Sequence, residues 1–568
     1  MSSFKRILVT SALPYANGPI HLGHLAGCYL PADIYTRYQR HRGQDIIHIC
    51  GTDENGVPIT IRAEQEGVSP QEIVDRYYEN IADSFQKFGI SFDNFSRTSL
   101  PIHHRMAQDF FNKINQRGFI QPRVVKQLYC DHCQRFLADR YVQGTCPHCG
   151  TPGAHGDQCE RCSNMLEPTL LKDPLCKICK GTPRIRETKH WFFRLDAFQD
   201  RLKSWLEDKN QWKANVKEFT RGWLDEGLKP RAITRDLDWG VPVPLKEAEN
   251  KVLYVWFDAP IGYISSTIEW AQKRGQPDLW KTYWLDEETR LIHFIGKDNI
   301  VFHALVWPAT LMAYQEYILP EEIPANEFLN LEGRKLSTSQ NWAVWLPDYL
   351  QEFSPDPLRY CLAINAPENR DSDFSWKDFQ AKNNGDLADV LGNFINRTLT
   401  FLTKYFVSQI PRPGSFDGED QALIEAMNKA PSVVGDLLET FQVKKALQEG
   451  MNLARLGNKY FNDQEPWKTR KENPQRCATT LYLCAQMLSS LSVILDPFLP
   501  FSTEKLWKML NQEESLSGLD WEQGGELRLE AGHHIGSLEI LFPKFEDQLI
   551  ERQIEKLRQS AQQSPAGR

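Results

Sequence analysis

The chain has 568 residues and a formal net charge of −8 at pH 7. A chain of this length exceeds what one hydrophobic core supports, so it predicts three or four domains. The acidic balance excludes a protein that is basic over its whole surface, so a nucleic-acid partner would need a local basic patch. We expect no membrane-spanning run and no secretory leader, and hence a cytoplasmic protein with no membrane partner.

The first predicted elements form a β-α-β unit. Residues 6–10 predict a buried strand, a helical pattern runs from about residue 20 to residue 43, and residues 45–50 predict a second strand. Parallel strands joined by a helical crossover are typical of a doubly wound α/β sheet. The sequence therefore begins with half of a parallel sheet.

The remaining elements indicate that this sheet is interrupted. The pattern breaks at about residue 121, and strand signals return at 252–257, 291–295 and 328–331. Helical periodicity dominates from 384 to 510 and predicts a helix bundle. Residues 545–568 predict one amphipathic helix and a loose end. We expect a split sheet with an insertion of roughly a hundred residues, followed by the bundle.

Eight of the thirteen cysteines lie in the predicted insertion as four C-x-x-C pairs. In a reducing compartment this spacing indicates metal rather than disulfides, and four thiolates close a tetrahedral structural zinc site. Eight cysteines fit two Zn²⁺ ions with no ligand position left for water. The pairs are Cys130/Cys133, Cys146/Cys149, Cys159/Cys162 and Cys176/Cys179.

Two short segments far apart in the chain contain residues suited to binding phosphate groups. His21-Leu-Gly-His24 lies at a predicted strand-to-helix junction, and Lys335-Leu-Ser-Thr-Ser339 follows a predicted strand. Imidazoles and an ammonium stabilise charge on phosphate oxygens, a glycine lets a base lie close to the backbone, and a helix N-terminus favours an anion. This pair of motifs, in this order, resembles the signature of class I aminoacyl-tRNA synthetases. The resemblance implies that His21, His24 and Lys335 are catalytic.

Longer segments narrow the resemblance to one family. Residues 12–18 (ALPYANG), 146–149 (CPHC), 159–162 (CERC) and 254–263 (YVWFDAPIGY) resemble methionyl-tRNA synthetases, and the similarity extends from residue 7 to about 543. It implies a Rossmann-type nucleotide-binding domain split by a zinc-binding insertion. It also implies an enzyme that joins methionine to tRNA(Met), including initiator tRNA, and that uses ATP with Mg²⁺ as a substrate. We expect the enzyme to be a monomer.

The resemblance implies six parts and several sets of site residues. The parts are 1–120 and 231–325 for the two halves of the catalytic domain, 121–230 for the zinc insertion, 326–383 for a linking region, 384–543 for an anticodon-binding domain and 544–568 for a terminal helix and tail. The implied ATP contacts are Gly23, Gly296, Lys297, Asp298, Lys335, Ser337, Thr338 and Ser339. The implied methionine pocket is Leu13, Tyr15, Asp53, Trp256, Ala259, Pro260, Tyr263 and His303. The implied anticodon readers are Asn393, Arg397 and Trp467.

Particular roles also follow from the resemblance. Asp53 would hold the substrate ammonium, and Tyr263 and His303 could offer polar hydrogens near the thioether sulfur. The inner pairs Cys146/Cys149 and Cys159/Cys162 match a zinc site of the family, so the outer pairs would close a second site around it in sequence. A core position for Trp467 stays open as an alternative.

One departure from the family concerns the second signature loop. The family's usual K-M-S-K-S has a second lysine where this chain has Thr338, and a hydroxyl cannot replace an ammonium opposite phosphate. Lys335, Arg334 and Lys297 are the candidate cations, and we favour Lys335.

Three other functions remain alternatives at this point. A class I synthetase for an aliphatic amino acid would usually carry a larger editing insertion. An adenylyltransferase without tRNA would not need the helical C-terminal third. A tRNA-binding zinc protein without activity would not need the His21 and Lys335 segments.

Overall fold

The computed structural model describes residues 4–137, 141–156, 159, 161–162, 166–338 and 340–562. The first part of the chain forms strands β1 (Arg6–Ser11), β2 (Asp45–Thr52) and β3 (Asn94–Arg97), with helices α1 (Leu22–His24), α2 (Leu30–His41), α3 (Val57–Glu66), α4 (Pro70–Phe88) and α5 (Pro101–Gln116). A π-helical turn, Leu25–Tyr29, joins α1 to α2 into one helical segment. This segment ends just before Gly43, whose φ of +66° favours glycine. The predicted β-α-β unit is confirmed, since β1 and β2 pair in parallel.

The insertion follows as a long ribbon that carries the cysteines. Its elements are β4 (Ile120–Cys130), β5 (Arg135–Phe136), β6 (Val142–Thr145), β7 (Ala154–His155), β8 (Lys172–Cys176), β9 (Arg184–Phe193), α6 (Gln199–Glu207), α7 (Ala214–Glu226), β10 (Arg231–Ala232), β11 (Thr234–Arg235) and β12 (Val252–Leu253). Strands β4 and β9 pair antiparallel over ten residues. Strand β10 also pairs with β9, so the insertion's sheet continues just past residue 230.

The second part of the catalytic region completes the parallel sheet. Its elements are α8 (Val255–Asp258), α9 (Ile261–Lys273), α10 (Trp280–Trp284), β13 (Thr289–Gly296), α11 (Trp307–Tyr314), β14 (Ala325–Asn326), β15 (Leu329–Leu331), β16 (Arg334–Lys335), α12 (Leu346–Glu352), α13 (Pro355–Ile364) and β17 (Ser372–Phe374). The sheet order is β14-β13-β1-β2-β3, with every pair parallel. The predicted split sheet is confirmed, because β13 returns beside β1 from the far side of the insertion.

One predicted strand is wrong. Of residues 252–257 only Val252–Leu253 are extended, and they pair antiparallel with Thr234–Arg235 outside the parallel sheet. The rest of the run continues into the helix Val255–Asp258. A short apolar run suits a buried strand and a buried helix equally, and here tertiary packing selected the helix.

The C-terminal third is helical, as the periodicity predicts. Its helices are α14 (Trp376–Ala381), α15 (Asn393–Tyr405), α16 (Gly418–Glu439), α17 (Val443–Asp463), α18 (Pro466–Glu472), α19 (Pro474–Leu495), α20 (Pro500–Met509) and α21 (Asp547–Gln562). The predicted terminal helix is α21, and the predicted loose end after it lies outside the described residues. Buried apolar side chains form one continuous core through sheet and bundle, and a second, small core surrounds the cysteines.

The expectation that no apolar run could span a bilayer is also wrong in one respect. Helix α19 is long and apolar enough to cross a membrane by length and composition. However, 89% of its apolar stretch is buried inside the protein, where it packs against α16, α17 and α18. The core helix of a bundle meets the same criteria as a membrane span, and the burial of α19 accounts for its composition.

Helix α2 joins the catalytic sheet to the bundle. Asp33, fully buried in its first turn, accepts a hydrogen bond from the equally buried Arg359 at 2.7 Å. His41, in its last turn, contacts Asp496 of the bundle at 2.9 Å. The helical segment that His21 caps and that begins at Leu22 therefore ends against the C-terminal domain.

Candidate functional site

The two signature segments meet in space. A Cβ on Gly23 would lie 2.9 Å from Leu336 Cδ1, so the Leu336 side chain reaches this backbone closely and would have to shift for a larger residue. Backbone bonds on either side hold the segments together: Leu22 N–H donates to the Val344 carbonyl at 3.3 Å, and Leu346 N–H donates to the Ile20 carbonyl at 2.8 Å. The two motifs therefore lie in van der Waals contact, although about three hundred residues separate them in sequence.

The two histidines of the first motif cap their own helix. His21 Nδ1 accepts from Gly23 N–H, and His24 Nδ1 accepts from His21 N–H, both at 3.1 Å. The rings stack with their centroids 3.7 Å apart. A neutral imidazole that accepts at Nδ1 carries its proton on Nε2, so each ring keeps an Nε2–H donor.

Both imidazoles are neutral near pH 7. Withdrawal from water lowers the pKa of His24 to about 4, and it lowers the pKa of His21 well below the ordinary value, with the neighbouring ring adding to the effect. The sequence suggested imidazoles that neutralise charge. The structure instead provides two uncharged N–H donors, which stabilise a developing oxyanion through hydrogen bonds.

Three cations lie around the second motif, and their surroundings differ. Lys297 Nζ is held by Glu327 at 2.7 Å and by Asp371 at 2.6 Å. Arg334 lies over the Trp342 ring at 4.3 Å. Lys335 is exposed, and among the described residues no carboxylate lies within ion-pair distance of its Nζ. In the described part of the chain Arg334 likewise has no carboxylate within that distance, so Lys297 is the one of the three whose charge the protein compensates with carboxylates.

The remaining candidate ATP residues lie at the ends of β13 and β16. Gly296 ends β13, and the Asp298 carboxylate lies close over it, since a Cβ there would approach Asp298 Oδ1 to 2.7 Å. Ser337 N–H donates to the Trp342 carbonyl at 3.1 Å, and Thr338 stands exposed in the turn that follows. The predicted contact Ser339 lies outside the described residues.

The candidate methionine pocket lies at the C-terminal edge of β1 and β2. Tyr15 and Asp53 form a parallel bridge there, and Leu13 lies against Gly262, where a Cβ would approach to 2.9 Å. Trp256 packs on Phe302 with ring centroids 4.4 Å apart. Ala259 and Pro260 form the turn between α8 and α9, in the same wall as Trp256 and Tyr263.

Tyr263 and His303 are bonded to each other. Asn299 offers its carbonyl to His303 Nδ1 at 3.1 Å, so that nitrogen carries the proton, and Tyr263 O–H donates to His303 Nε2 at 2.8 Å. Burial lowers the pKa of His303 to about 4, so the ring is neutral. Neither polar hydrogen is free in this arrangement, contrary to the expectation that the pair offers hydrogens to the sulfur.

Asp53 is buried with little compensation. The residue is 4% exposed, and Asn55 N–H donates to its Oδ1 over a long 3.4 Å. Burial, and then the nearby carboxyl of Asp258, raise the pKa of Asp53 well above its ordinary value. A buried carboxyl in this state gains most from a cationic ligand, because an ammonium restores the ionised form.

Three π-helical segments adjoin the candidate residues. Leu25–Tyr29 follows His24, Phe302–Val306 contains His303, and Lys382–Gly392 leads directly into Asn393. Such segments are rare and occur frequently at functional sites, because the wider turn redirects the side chains around it. No hydrophobic periodicity in the sequence predicted them.

The eight cysteines form two groups at the tip of the insertion. Cys130, Cys133, Cys176 and Cys179 make one group, and Cys146, Cys149, Cys159 and Cys162 make the other, with all sulfurs of a group within 4.8 Å of one another. Four cross-pair sulfur contacts, two in each group, are 3.4 to 3.8 Å long. A tetrahedral zinc with bonds of about 2.3 Å needs sulfur separations of about 3.8 Å. The nested grouping matches the expected one, and both groups could hold zinc.

The candidate anticodon residues share one face of the bundle. Arg397 donates to Asn462 Oδ1 at 2.7 Å and lies over the rings of Phe461 and Trp467, at 4.4 and 6.0 Å. Asn393 Nδ2 lies 3.5 Å from the side-chain oxygen of Asn458, one helical turn away on the same face. Trp467 is 42% exposed, so it is not a core residue and its ring remains open to a stacking partner.

Several neighbours of these residues were missed by sequence reasoning. Phe328 lies under the ammonium groups of both Lys297 and Lys335, at 4.2 and 5.6 Å. The ring centroids of Trp345 and His21 lie 5.9 Å apart. Asn462 and Glu327 orient Arg397 and Lys297 from other elements. Only the position of Phe328 at the start of the predicted strand 328–331 offered a signal, because the other contacts join residues that are distant in sequence.

Comparisons with known proteins agree with this geometry. Residues 7–399 match the family model described as tRNA synthetases class I (M), and residues 410–562 match the anticodon binding domain of methionyl tRNA ligase. The chain belongs to the class I methionyl-tRNA synthetases. The family's two parts correspond to the catalytic region with its insertion and to the helical bundle.

Individual relatives extend the agreement over the whole chain. The methionine–tRNA ligases of Christiangramia forsetii and Parabacteroides distasonis are each 52% identical, over 97% and 98% of this chain and 81% of theirs. Mycobacterium tuberculosis methionyl-tRNA synthetase in complex with methionyl-adenylate superposes with a TM-score of 0.79 at 26% identity, covering 95% of this chain and all of that one. Its free form superposes with a TM-score of 0.72.

Proposed function

We propose that this chain is a methionine–tRNA ligase that uses the residues described above. The main support for this proposal is the contact of Gly23 with Leu336. This contact brings the His21–His24 pair next to the Lys335 loop, and both are signature segments of the family that the chain belongs to. In the first step a carboxylate oxygen of methionine attacks the α-phosphorus of ATP, and pyrophosphate leaves. In the second, a terminal ribose hydroxyl of tRNA(Met) attacks the methionyl carbonyl, and AMP leaves.

The protein contributes position and charge to the first step. His21 and His24 donate through their Nε2–H groups to oxygens of the α-phosphate, where charge develops. Lys335, delivered by a loop that rests on Gly23, acts on the leaving phosphates, which ATP presents together with Mg²⁺. Gly296, Asp298 and Lys297 line the nucleotide at the end of β13, together with Ser337, Thr338 and Ser339 of the loop.

The amino acid is held between the ends of β1 and β2 and the wall that carries Trp256. Asp53 binds the ammonium, and its buried setting favours this ligand. Leu13, Tyr15, Ala259 and Pro260 surround the thioether with apolar surface, which suits a polarisable sulfur. Tyr263 and His303, bonded to each other, fix the shape of the pocket end and leave its surface with few free donors.

The two cysteine groups hold structural zinc in this proposal. Bound zinc crosslinks strands and turns at the tip of the insertion, whose own core is small. The backbone N–H of Cys133 donates to the Cys130 sulfur and that of Gly181 to the Cys179 sulfur, each at 3.4 Å, and the bond from Gly181 lowers the pKa of Cys179 toward the thiolate form that a metal needs. The insertion shapes the mouth of the site for the acceptor end of the tRNA.

The bundle reads the anticodon in the same proposal. Asn393 and Arg397 contribute edge hydrogen bonds and Trp467 a stacking surface for unpaired bases. Both elongator and initiator tRNA(Met) carry the same anticodon and are substrates. We place the enzyme in the cytoplasm as a monomer.

ATP–pyrophosphate exchange with each of the twenty amino acids tests the function. We expect exchange with methionine alone, followed by transfer of labelled methionine to tRNA(Met). Exchange with another aliphatic amino acid would assign a different class I synthetase, and exchange without transfer would assign an adenylyltransferase. Absence of exchange from the metal-loaded full chain would overturn the proposal.

A further inference from the structure

Behind the candidate amino-acid site lies a buried polar cluster that the roles above do not use. It consists of Asp258, His103 and Asn55, each at most 1% exposed, beside Asp53 at 4%. The four residues come from three segments: Asp53 and Asn55 follow β2, His103 lies in α5 and Asp258 ends α8. Buried polar groups in such a cluster are costly unless every donor and acceptor is satisfied.

Within this cluster, one carboxylate oxygen of Asp258 has two partners and the other has none. Asn55 Nδ2 donates to Asp258 Oδ2 at 2.7 Å, and His103 Nε2 contacts the same oxygen at 3.2 Å. That second contact requires a hydrogen on Nε2, because a ring lone pair cannot face a carboxylate lone pair. Oδ1 is buried and has no hydrogen-bond partner among the described residues.

Asn55 connects this carboxylate to Asp53. Its backbone N–H points at Asp53 Oδ1 at 3.4 Å, while its side chain holds Asp258. His103 also lies against the pocket wall, since its Nδ1 contacts Ser265 Oγ at 3.2 Å and its ring is near Gly262, which packs on Leu13. Asp258 itself precedes the pocket residues Ala259 and Pro260. The bare oxygen thus belongs to the same small region as the proposed ammonium partner.

We propose that Asp258 is the second carboxylate of the amino-acid site and, with Asp53, binds the α-ammonium of methionine. An ammonium has three hydrogens and needs several acceptors when it leaves water. Oδ1 of Asp258 accepts one of them, directly or through one water, while His103 and Asn55 fix the carboxylate from behind. This inference rests on the proposed function, because it assigns a partner to the same substrate.

Competition by two matched fragments of methionine separates this role from a general structural one. 3-(Methylthio)propylamine keeps the thioether and the amine, whereas 4-(methylthio)butanoate keeps the thioether and the carboxylate. In the full-length, metal-loaded Asp258→Asn variant, we expect the methionine KM in ATP–pyrophosphate exchange to rise about ten- to a hundredfold, as for a lost charged hydrogen bond, with kcat much less affected. The inhibition constant of the amine should rise in parallel, and that of the butanoate should stay unchanged.

Variants of the supporting ring provide the second measurement. His103→Gln keeps an N–H that can reach Asp258, so it should raise the methionine KM less than His103→Leu. His104→Gln, at the adjacent ring, is the matched control and should leave the KM unchanged. If Asp258→Asn folds poorly by circular dichroism, the two His103 variants still decide the question.

The outcomes also separate this inference from the proposed function. A parent chain without methionine-dependent exchange would refute the function itself. An active parent with an unchanged methionine KM in Asp258→Asn would refute only the role of Asp258. Equal weakening of the amine and the butanoate would also refute it, because that result indicates a distorted pocket.

Discussion

At the scale of single residues, hydrogen-bond partners decide which groups can act. Nδ1 of both motif histidines is occupied by backbone N–H, so their chemistry is restricted to Nε2. Lys297 is bound by two carboxylates, which raise its pKa against the effect of burial, whereas Lys335 is exposed. Two lysines that look equivalent in sequence therefore differ in how much charge they can offer a substrate.

The first prediction concerns Lys335. We expect Lys335→Ala to slow adenylate formation by about 10²–10³ with little change in ATP binding, as for an interaction made in the transition state. Thr338→Ala should cost far less, because a hydroxyl carries no charge. Single-turnover kinetics of methionyl-adenylate formation provide the measurement.

The matched controls are the other two cations. Arg334→Ala removes a charge that rests on Trp342, and Lys297→Ala removes one already compensated by Glu327 and Asp371. If Lys335→Ala is nearly silent while either control abolishes the reaction, another cation has taken the place of the missing second lysine.

At the scale of elements, the insertion depends on its cysteine groups. We expect two zinc ions per chain by mass spectrometry of the metal-loaded protein. Replacing Cys130 and Cys133 with serine should remove one ion and leave the inner group loaded, because the two groups share no ligand. One zinc in the parent chain would exclude the second site. Loss of both ions from the variant would show that the inner group cannot fold alone.

The anticodon face makes a separate prediction. Trp467→Ala should weaken aminoacylation of tRNA(Met) at least about tenfold, since stacking one base contributes about 1–3 kcal/mol. Adenylate formation should be nearly unchanged, because the ring lies on the bundle. Val433→Ala, which alters another half-exposed apolar side chain of the bundle, serves as the control. Equal loss in both half-reactions would identify Trp467 as a residue needed for folding.

At the scale of the whole molecule, buried charge ties the catalytic sheet to the bundle. Burial alone would raise the pKa of Asp33, but the guanidinium groups of Arg37 and Arg359 hold it below the ordinary value. Arg359 also donates to the carbonyls of Pro497 and Phe498, each at 3.0 Å. The Arg359 side chain therefore forms hydrogen bonds both to α2 and to the turn before α20.

Removing Arg359 should therefore loosen the junction. We expect Arg359→Met to lower the free energy of unfolding by about 3 kcal/mol, because it removes one of the two guanidinium partners of a buried carboxylate and the donor to two carbonyls, while Arg37 remains on Asp33. Urea denaturation followed by tryptophan fluorescence measures this change. Lys87→Met, which breaks the exposed pair with Asp83, should cost less than about 1 kcal/mol. Similar losses in the two variants would contradict the assigned role of the buried pair.

The sequence alone determined the features that depend on residue type and spacing. The β-α-β start, the split sheet, the helical C-terminal third and the cysteine pairs follow from local periodicity and ligand chemistry. The H-x-G-H and Lys335 segments, with the family resemblance, supplied the candidate residues and the class of reaction. These features are local, or they repeat a known arrangement, so they can be predicted without distances.

The tertiary structure decided what depends on contacts between distant residues. It placed residues 255–258 in a helix, buried the apolar helix α19, and set the protonated nitrogen of His21, His24 and His303. It also gave Lys297 its two carboxylates and brought Asn55 and His103 to one oxygen of Asp258. The helix at 255–258 and the burial of α19 depend on tertiary packing. The other features depend on partners that only folding brings within about 3 Å, the range at which hydrogen bonds form.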